Sequence, residues 1–473
     1  MLLPNNRKKI HFIGICGVAM SALAIAFQKK GYQVSGSDAG FYPPVSTNLQ
    51  KNKINFYPGW HVEKMCENGN PDLVIVGNVA NSTNPEFVFA KENHLKYQSY
   101  PEAVAEFFVK KNSLVCAGTY GKTTSAALLS WIFSQAGKQP SYMFGGIPAN
   151  KFESAELSES EWSILEGDEY KTSGWDMRPK FSLYSPTHLL LTSVSWDHAD
   201  IYKTEEHYFE AFKHLVESIP SDGMIVGCFE GKNMHQILSS CKAKMIIYGK
   251  NPDADYAYRD VQHNQKGIHF DIVHQKNIYR IKSSLLGDFN AENITGCFAM
   301  AHSVGIDAER IIESISEFRG LKRRLERRMK TPFTIIDDIA HSPIKAQSTL
   351  ETLKKVYKNK KIIVIFEPNT GNRKSSSVHF YDHAFAKADM VLIPRLTKIK
   401  HNPLDLDMPL EGKNIAEVIG KTHAQVHSLE DDIQLIQTII QNTTKGDVVV
   451  FLGSHGFRGM IEELIEYVRL QEE

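Results

Sequence analysis

The sequence predicts an α/β protein of three domains in series. Its 473 residues exceed what a single hydrophobic core usually organises, which favours about three domains. Apolar strand segments alternate with helical segments along the whole chain, as in parallel sheets covered by helices. Two glycine turns, at residues 14–17 and 118–121, each stand between a strand and a helix. Such turns point backbone N–H groups at a space where an anion can bind.

The first domain is expected over residues 1–111. A strand at 10–13, a glycine turn, a helix at 18–30 and a strand at 32–37 form a βαβ unit. A second apolar strand follows at 73–76. The domain therefore has the order of elements found in nucleotide-binding α/β folds.

The glycine turn of this domain leaves two interpretations open. It reads G-x-x-G from Gly14 to Gly17, whereas dinucleotide sites read G-x-G-x-x-G, which argues against a nicotinamide cofactor. The helix N-terminus and Asp38, at the end of the next strand, can bind a nucleotide diphosphate. Alternatively, the two glycines only permit close packing of strand and helix.

The most informative segment reads G-T-x-G-K-T-T from Gly118 to Thr124, between an apolar strand and a helix. Backbone N–H groups at the helix start can bind phosphate, Lys122 can neutralise it, and a threonine hydroxyl can ligate Mg²⁺. The common nucleotide loop also has a glycine where this chain has Cys116. The generic pattern therefore fails, and a variant phosphate loop remains.

The second domain is expected over residues 112–320 and opens with this loop. Further strands are predicted at 162–165, 189–191 and 224–226, an added antiparallel sheet near 256–259, 268–273 and 278–281, and helices at 288–304 and 307–318. The alternation of the first strands with helices predicts a largely parallel, buried sheet.

Acidic residues and a histidine follow two strands of this domain. Glu166, Asp168 and Glu169 lie close to the phosphate loop in the expected sheet, and carboxylate oxygens suit Mg²⁺. Solvated carboxylates are equally common at strand ends. His198 follows the next strand and can reach the same cleft. Lys213, on the following helix, is interpreted as a solvated lysine.

The third domain is expected over residues 321–473, with strands at 333–337, 362–366, 390–393 and 448–452 and a final helix at 457–471. The polar loops that follow these strands, at 337–343, 367–374 and 453–456, suit a ribose or a zwitterionic substrate, although loops of this composition are common. In the basic cluster at 322–328, one arginine can reach a phosphoryl group. The other arginines are expected to be surface charge.

Composition narrows the class of function. The chain carries 54 basic and 54 acidic residues, so no net charge draws it to nucleic acid or to a membrane. Its six cysteines form no CxxC pair, which favours a reducing cytosol over a disulfide scaffold. The apolar run at 12–27 is too short for a membrane span, which needs about 20 residues. We therefore expect a cytoplasmic protein that acts on small molecules.

Taken together, these motifs resemble the Mur ligase family over essentially the whole chain. The resemblance rests on G-x-x-G-x-x-M-S from Gly14, Gly77-Asn78, the loop from Gly118 to Thr124, Gly145-Gly146-Ile147-Pro148, E-x-D-E-Y from Glu166, D-H-A-D from Asp197, Asn290, Arg323-Arg324, D-D-x-A-H from Asp337 and Phe366-Glu367-Pro368. It implies a Rossmann-like N-terminal domain, a P-loop ATPase-like central domain and a Rossmann-like C-terminal domain.

The resemblance also implies ligands and residue roles. The first domain would bind UDP-N-acetylmuramate through Gly14, Gly17, Met20, Ser21, Asp38 and Asn78. The second would bind ATP through Gly118, Thr119, Gly121, Lys122, Thr123, Thr124 and Asn290, together with Arg324, Asp338 and His341. Thr123, Glu166 and His198 would hold Mg²⁺ or Mn²⁺, and Lys122, Glu166, His198 and Arg324 would be catalytic. The third domain would bind the incoming peptide through Glu367, Asn369, Arg373, Ser454 and His455.

Within the family, the expected reaction joins UDP-N-acetylmuramate to a recycled murein tripeptide with ATP. A ligase that adds L-alanine to the same nucleotide sugar is the first alternative. A non-catalytic sensor of wall fragments and a nicotinamide oxidoreductase are alternatives from other classes. The sequence leaves monomer and dimer equally open.

Four positions depart from the family pattern without removing an implied phosphate or metal ligand. They are Tyr120, Gly167, Lys171 and Ser342. Some relatives carry a carbamylated lysine on the helix after the metal histidine, which corresponds to Lys213. A lysine that points away from the metal site would end that hypothesis.

Overall fold

The computed structural model describes residues 8–41, 45–196, 201–231, 234–398 and 408–472. It divides into two compact units. The first comprises Met1–Val261, His269–Ser283 and Phe289–Gly320, and the second comprises Gln262–Ile268, Ser284–Asp288 and Leu321–Glu473. The first unit contains a five-stranded sheet and most of a ten-stranded sheet, and the second contains a six-stranded sheet.

The five-stranded sheet is entirely parallel, in the order β3-β2-β1-β4-β5. Its elements are β1 (Lys9–Ile13), α1 (Val18–Lys29), β2 (Gln33–Asp38), α2 (Val45–Lys51), β3 (Asn55–Pro58), α3 (Val62–Met65), β4 (Leu73–Val76), α4 (Pro85–Glu92), β5 (Tyr97–Ser99) and α5 (Tyr100–Phe107). The strand order reverses between β1 and β4. The loops that follow these two strands therefore flank a crevice, which is where such sheets bind ligands.

The ten-stranded sheet has the order β15-β14-β13-β12-β11-β10-β6-β9-β7-β8. Its strands are β6 (Asn112–Ala117), β7 (Ser141–Met143), β8 (Ala155–Glu156), β9 (Trp162–Gly167), β10 (His188–Leu191), β11 (Met224–Cys228), β12 (Lys244–Gly249), β13 (Tyr256–Asn264), β14 (Gly267–His274) and β15 (Asn277–Ser283). The helices are α6 (Lys122–Gln135), α7 (Glu205–Glu217), α8 (Met234–Leu238), α9 (Asp288–Ser303) and α10 (Ala308–Glu317).

Strand β6 lies between β10 and β9, and all three are parallel. The loops that follow them therefore meet at one edge of the sheet. The expectation of an added sheet needs correction, because β13 pairs in parallel with β12 and so extends the same sheet.

Packing explains why this chain has a cysteine at position 116, where the common nucleotide loop has a glycine. Cys116 lies inside β6, fully buried, with Val115 and Ala117 buried beside it. A strand covered on both faces is continuously apolar. Position 116 is therefore part of the core, and the turn starts only at Gly118.

The six-stranded sheet has the order β16-β17-β21-β18-β19-β20, with β16 antiparallel to β17 and the other pairs parallel. Its elements are β16 (Glu326–Met329), β17 (Thr334–Asp338), α11 (Pro343–Val356), β18 (Ile362–Glu367), β19 (Met390–Pro394), α12 (Gly412–Gly420), β20 (Val426–Leu429), α13 (Asp432–Asn442), β21 (Val448–Gly453) and α14 (Met460–Glu472). Helix α14 begins three residues later than expected, because a 3₁₀ turn over Phe457–Gly459 interrupts it.

Two expectations from composition can be compared with the structure. All six cysteines are free. Among the residues that the structure describes, no helix is long and apolar enough to cross a membrane.

Candidate active site

The loop between β6 and α6 is held in place by the segment after the neighbouring strand β10. Gly118 and Gly121 have φ of 129° and 87°, a conformation that residues with a side chain rarely adopt. The Thr119 hydroxyl donates to the carbonyl of Ser195 at 2.7 Å and accepts the N–H of the same residue at 2.8 Å. The Thr192 hydroxyl donates to the carbonyl of Tyr120 at 2.6 Å. The loop is thus fixed while the first N–H groups of α6 point outward from the helix.

Replacing Gly121 with alanine should lower the free energy of unfolding by more than the backbone strain of a positive φ would by itself. A Cβ at Gly121 would lie 2.2 Å from Oδ1 of Asn293, so the Asn293 side chain or the loop must shift. Gly137 has a similar φ of 73° and open space around the Cβ position, and its alanine variant is the matched control. We expect roughly 1–2 kcal/mol of destabilisation for Gly137→Ala and about 1–3 kcal/mol more for Gly121→Ala in urea unfolding. Equal unfolding midpoints would contradict the clash.

Lys122, the first residue of α6, forms a buried ion pair with Glu169. Its Nζ lies 3.0 Å from Oε1 and 2.7 Å from Oε2 of Glu169, and it also donates to the carbonyl of Thr119 at 3.3 Å. Burial alone would lower the pKa of Lys122, but the charges of Glu169 and Asp168 outweigh burial and raise it. The lysine is therefore positively charged at the phosphate loop.

Glu166 and Thr123 bring oxygen ligands together beside the same loop. The Thr123 hydroxyl donates to Oε1 of Glu166 at 2.6 Å, and the N–H of Gly145 donates to Oε2 at 2.6 Å. The register of β6 against β9 places Cys116 opposite Glu166, which brings this carboxylate to the loop. A carboxylate and a hydroxyl in contact are the ligand types that Mg²⁺ prefers, so the residues fit the predicted metal.

The structure narrows the predicted set of carboxylates. Asp168 pairs with Lys180, and Glu169 pairs with Lys122, so these two carboxylates already face a cation. Burial alone would raise the pKa of Asp168, but the charges of Lys180 and Lys122 lower it. Glu166 is therefore the metal-ligand candidate of the three. The predicted metal ligand His198 falls within 197–200, outside the described residues.

Asn290 and Lys213 occupy different surroundings. Asn290 is buried on α9, and its Oδ1 lies 3.5 Å from Nδ2 of Asn293, the residue that abuts Gly121. Asn290, which is predicted to bind ATP, thus lies about one helical turn along α9 from the residue that abuts the phosphate loop. Lys213 forms a 3.7 Å ion pair with Glu210, and its side chain is 41% exposed, as expected of a solvated lysine.

The crevice of the five-stranded sheet gathers the residues predicted to bind the UDP-sugar. Gly14, with φ of 87°, donates its N–H to the carbonyl of Ser37 at 2.8 Å. Asp38 accepts the N–H groups of Cys16 at 2.8 Å and Ala39 at 2.7 Å. The carboxylate of Asp38 and the turn after β1 are therefore in direct contact.

The remaining predicted residues of this crevice differ in exposure. Met20 is buried, and its Cε lies 3.3 Å from the position a Cβ would take on Gly77. Ser21 is also buried, and its hydroxyl donates to the carbonyl of Val18 at 3.0 Å. Gly17 is the N-cap of α1, and Asn78 is exposed after β4. Gly17 and Asn78 are thus the members of this set at the surface of the crevice.

In the second unit, the arginines of the basic cluster are not simple surface charge. Arg323 donates to the carbonyls of Gly453 at 2.6 Å, Ser454 at 3.0 Å and His455 at 2.7 Å. Arg328 donates to Glu462 at 2.8 Å. The expectation that these arginines are surface charge is therefore wrong, because Arg323 holds the loop after β21.

Arg327 likewise donates to the carbonyls of Gln265 and Ser284, the latter at 3.3 Å. Arg324, the predicted phosphate ligand, is exposed.

Asp338 is the last residue of β17, and His341 lies in the loop that follows. Asp338 is buried and accepts the N–H groups of Leu325 at 2.7 Å and Ala340 at 2.8 Å. Burial raises the pKa of Asp338, against the effect of these two donors. The carbonyl of His341 accepts the N–H of Asn369 at 3.2 Å, which joins the loops after β17 and β18.

Most predicted peptide-binding residues also stabilise loops. Arg373 is 3% exposed and donates to the carbonyls of Leu410 at 2.9 Å and Thr397 at 2.8 Å. Glu367 accepts the N–H of Thr397 at 2.8 Å and its hydroxyl at 2.7 Å. Asn369 caps the short 3₁₀ helix Thr370–Arg373. A bound peptide would therefore have to contact atoms of these residues that are not already used in these hydrogen bonds.

The comparisons with known proteins agree along the chain. Residues 9–111 match the model of the Mur ligase family, catalytic domain, residues 116–301 match the Mur ligase middle domain, and residues 323–455 match the Mur ligase, glutamate ligase domain.

Two relatives and one solved structure illustrate the similarity. The UDP-N-acetylmuramate–L-alanyl-γ-D-glutamyl-meso-2,6-diaminoheptandioate ligase of Escherichia coli is 30% identical over 463 residues, 97% of this chain and 98% of the relative. The UDP-N-acetylmuramate–L-alanine ligase of Clostridium perfringens is 28% identical over 460 residues, 96% of each. The structure of UDP-N-acetylmuramate-alanine ligase from Thermotoga maritima has a TM-score of 0.80 and 24% identity, covering 98% of this chain and 99% of that one.

Proposed function

Because the chain belongs to the Mur ligase family, we propose that it joins the lactyl carboxylate of UDP-N-acetylmuramate to the amino group of a murein tripeptide, L-alanyl-γ-D-glutamyl-meso-diaminopimelate. Members of this family are ATP-dependent amide ligases of the cell wall that act on small molecules, and the chain is such an enzyme. The sensor and oxidoreductase alternatives are thereby set aside. We place the enzyme in the cytoplasm and its reaction in peptidoglycan recycling.

One observation carries the proposed chemistry. Lys122, Thr123 and Glu166 converge at the start of α6, where a cation, a hydroxyl and a carboxylate meet the N–H groups of the helix N-terminus. A triphosphate needs all of these groups at once. We therefore assign ATP to residues 112–320, the UDP-sugar to 1–111 and the peptide to 321–473.

In the proposed reaction, the lactyl carboxylate attacks the γ-phosphorus of ATP, which gives an acyl phosphate and ADP. Lys122 neutralises charge on the β- and γ-phosphates, and Arg324 contacts the γ-phosphate. Thr123 and Glu166, with His198, would hold Mg²⁺, which when bound neutralises phosphate charge.

The peptide amine then attacks the acyl carbon to form the amide bond. Phosphate leaves with the electron pair of the broken C–O bond, and the nitrogen loses a proton. Asn290, Asp338 and His341 are assigned to the nucleoside of ATP, and Gly14, Gly17, Asp38 and Asn78 to the UDP moiety. Excluding water protects the acyl phosphate from hydrolysis during this step.

The acceptor is the part of the proposed reaction for which there is a second candidate. Identities of 30% to a tripeptide ligase and 28% to an L-alanine ligase are too similar to separate the two acceptors. The D-H-A-D and F-E-P segments favour the tripeptide. L-alanine is therefore the second candidate, on the same site and with the same chemistry.

An acceptor panel tests this choice. With UDP-N-acetylmuramate and ATP, we expect ADP release to depend on the tripeptide and to be negligible with L-alanine, because the acceptor loops must bind the whole peptide for the amine to reach the acyl carbon. ADP release is measured by a coupled assay with L-alanine, the dipeptide, the tripeptide and the tetrapeptide. Equal rates with L-alanine and the tripeptide would overturn the assignment.

A further inference from the structure

The proposed reaction gives no role to Glu169 of the E-x-D-E-Y motif, although this residue pairs with the lysine of the phosphate loop. Its side chain is 1% exposed, and that of Lys122 is 12% exposed. Both oxygens of Glu169 lie within 3.0 Å of the Lys122 ammonium. The lysine of the phosphate loop is thus bound by a protein carboxylate.

Two tyrosines fix Glu169 relative to the loop. The Tyr202 hydroxyl donates to the carbonyl of Glu169 at 2.7 Å, and the Tyr208 hydroxyl lies 3.4 Å from Oε1. The same Tyr208 hydroxyl lies 2.8 Å from Oγ1 of Thr119, inside the loop. The carboxylate therefore has a fixed position, whereas Lys122 has a flexible stem of four methylene groups.

A buried ammonium without a counter-ion is costly, and one ammonium cannot make its strongest contacts with two anions in different places. Nucleotide phosphates that enter the loop compete with Glu169 for Lys122. Glu169 is thus the counter-ion that a phosphate would have to replace at Lys122.

We propose that Glu169 is a positioning residue that holds the Lys122 ammonium until ATP binds and then releases it to the β- and γ-phosphates. This inference rests on the proposed assignment of ATP to the loop. It predicts an exchange of partners: the contact between Lys122 and Glu169 stabilises the nucleotide-free protein and is absent from the complex.

The sign of a change in ADP affinity tests this exchange. Glu169→Gln removes an ion pair that, on this proposal, exists only in the free protein, so ADP should bind about tenfold to a hundredfold more tightly in calorimetry. If Glu169 instead supported Lys122 in both states, the same variant would bind ADP more weakly. Glu210→Gln removes the carboxylate beside the exposed Lys213 and is the matched control, with unchanged affinity expected.

A double-mutant cycle covers the case in which the single variant folds poorly. Lys122→Met with Glu169→Gln removes both charges, so no buried charge is left alone. Exchange requires that Lys122→Met weakens ADP binding more in the Glu169→Gln background than in the wild type; an equal or smaller effect would refute it. Unchanged ADP binding in Lys122→Met itself would instead refute the assignment of ATP to this loop.

Discussion

Replacing Lys122 with alanine is expected to lower kcat/KM for ligation about a thousandfold. The ammonium is the charged group at the start of α6, and a preorganised charge aimed at developing phosphate charge contributes on this scale. The variant also loses nucleotide affinity, because the loop then lacks the cation that would contact the phosphates. Both effects are measured by ADP release and peptide ligation under saturating and limiting ATP.

The matched control for this prediction is Lys213→Ala. Lys213 is exposed on α7 and pairs with Glu210, so its loss should leave kcat/KM within about twofold. A similar loss in both variants would support a modified Lys213 in place of the solvated lysine seen here. Full ligation by a folded Lys122→Ala variant would show that the ATP site lies elsewhere.

The sequence patterns predict the fold well where a strand is buried on both faces. Continuous apolar runs at β4, β6 and β18 predict parallel strands, and each of them pairs in parallel with both of its neighbours. The patterns fail where sheet membership depends on pairing between distant segments. The alternating strands β13 to β15 look like a sheet of their own, but a short parallel contact of Tyr256 with Tyr248 joins them to the central sheet.

Ion pairs of the candidate site are the part that local patterns cannot predict. Lys122 and Glu169 are 47 residues apart and meet only because β6 and β9 are neighbours. The hydrogen bond from Arg373 to the Leu410 carbonyl likewise joins two residues that are 37 positions apart in the sequence. The spacing of residues along the sequence identifies side chains with suitable chemistry. The order of the strands decides which charged side chains are already paired with an opposite charge.

Strand order also explains why three acidic residues in one short loop are not equivalent. Glu166 lies one residue before the end of β9, and its carboxylate accepts hydrogen bonds from a hydroxyl and an N–H, neither of which carries a positive charge. Asp168 and Glu169 each meet a lysine. One carboxylate is therefore available to a divalent cation, and the other two hold the lysines around it.

Replacing Glu86 with glutamine should cost about 3 kcal/mol of unfolding free energy near neutral pH. Glu86 is fully buried on α4 and accepts hydrogen bonds from the Ser37 and Tyr57 hydroxyls and the N–H of His61, with His11 Nε2 at 3.5 Å. A glutamine turns an amide NH₂ toward groups that donate, so at least one buried bond is lost.

The pH dependence of that loss follows from the pKa of Glu86. Burial alone would raise this pKa, but His11 and the two hydroxyls outweigh burial and hold it below its usual value of 4.5. The stabilisation by Glu86 is therefore complete above pH 4.5 and is lost as pH falls through the folded pKa, so wild type and variant should converge in acid. Urea unfolding at several pH values measures this, with Glu63→Gln as the control, because that carboxylate is 74% exposed and should matter by less than about 0.5 kcal/mol. A constant difference between wild type and Glu86→Gln down to acid pH would mean that packing, and not the ionised carboxylate, stabilises this site.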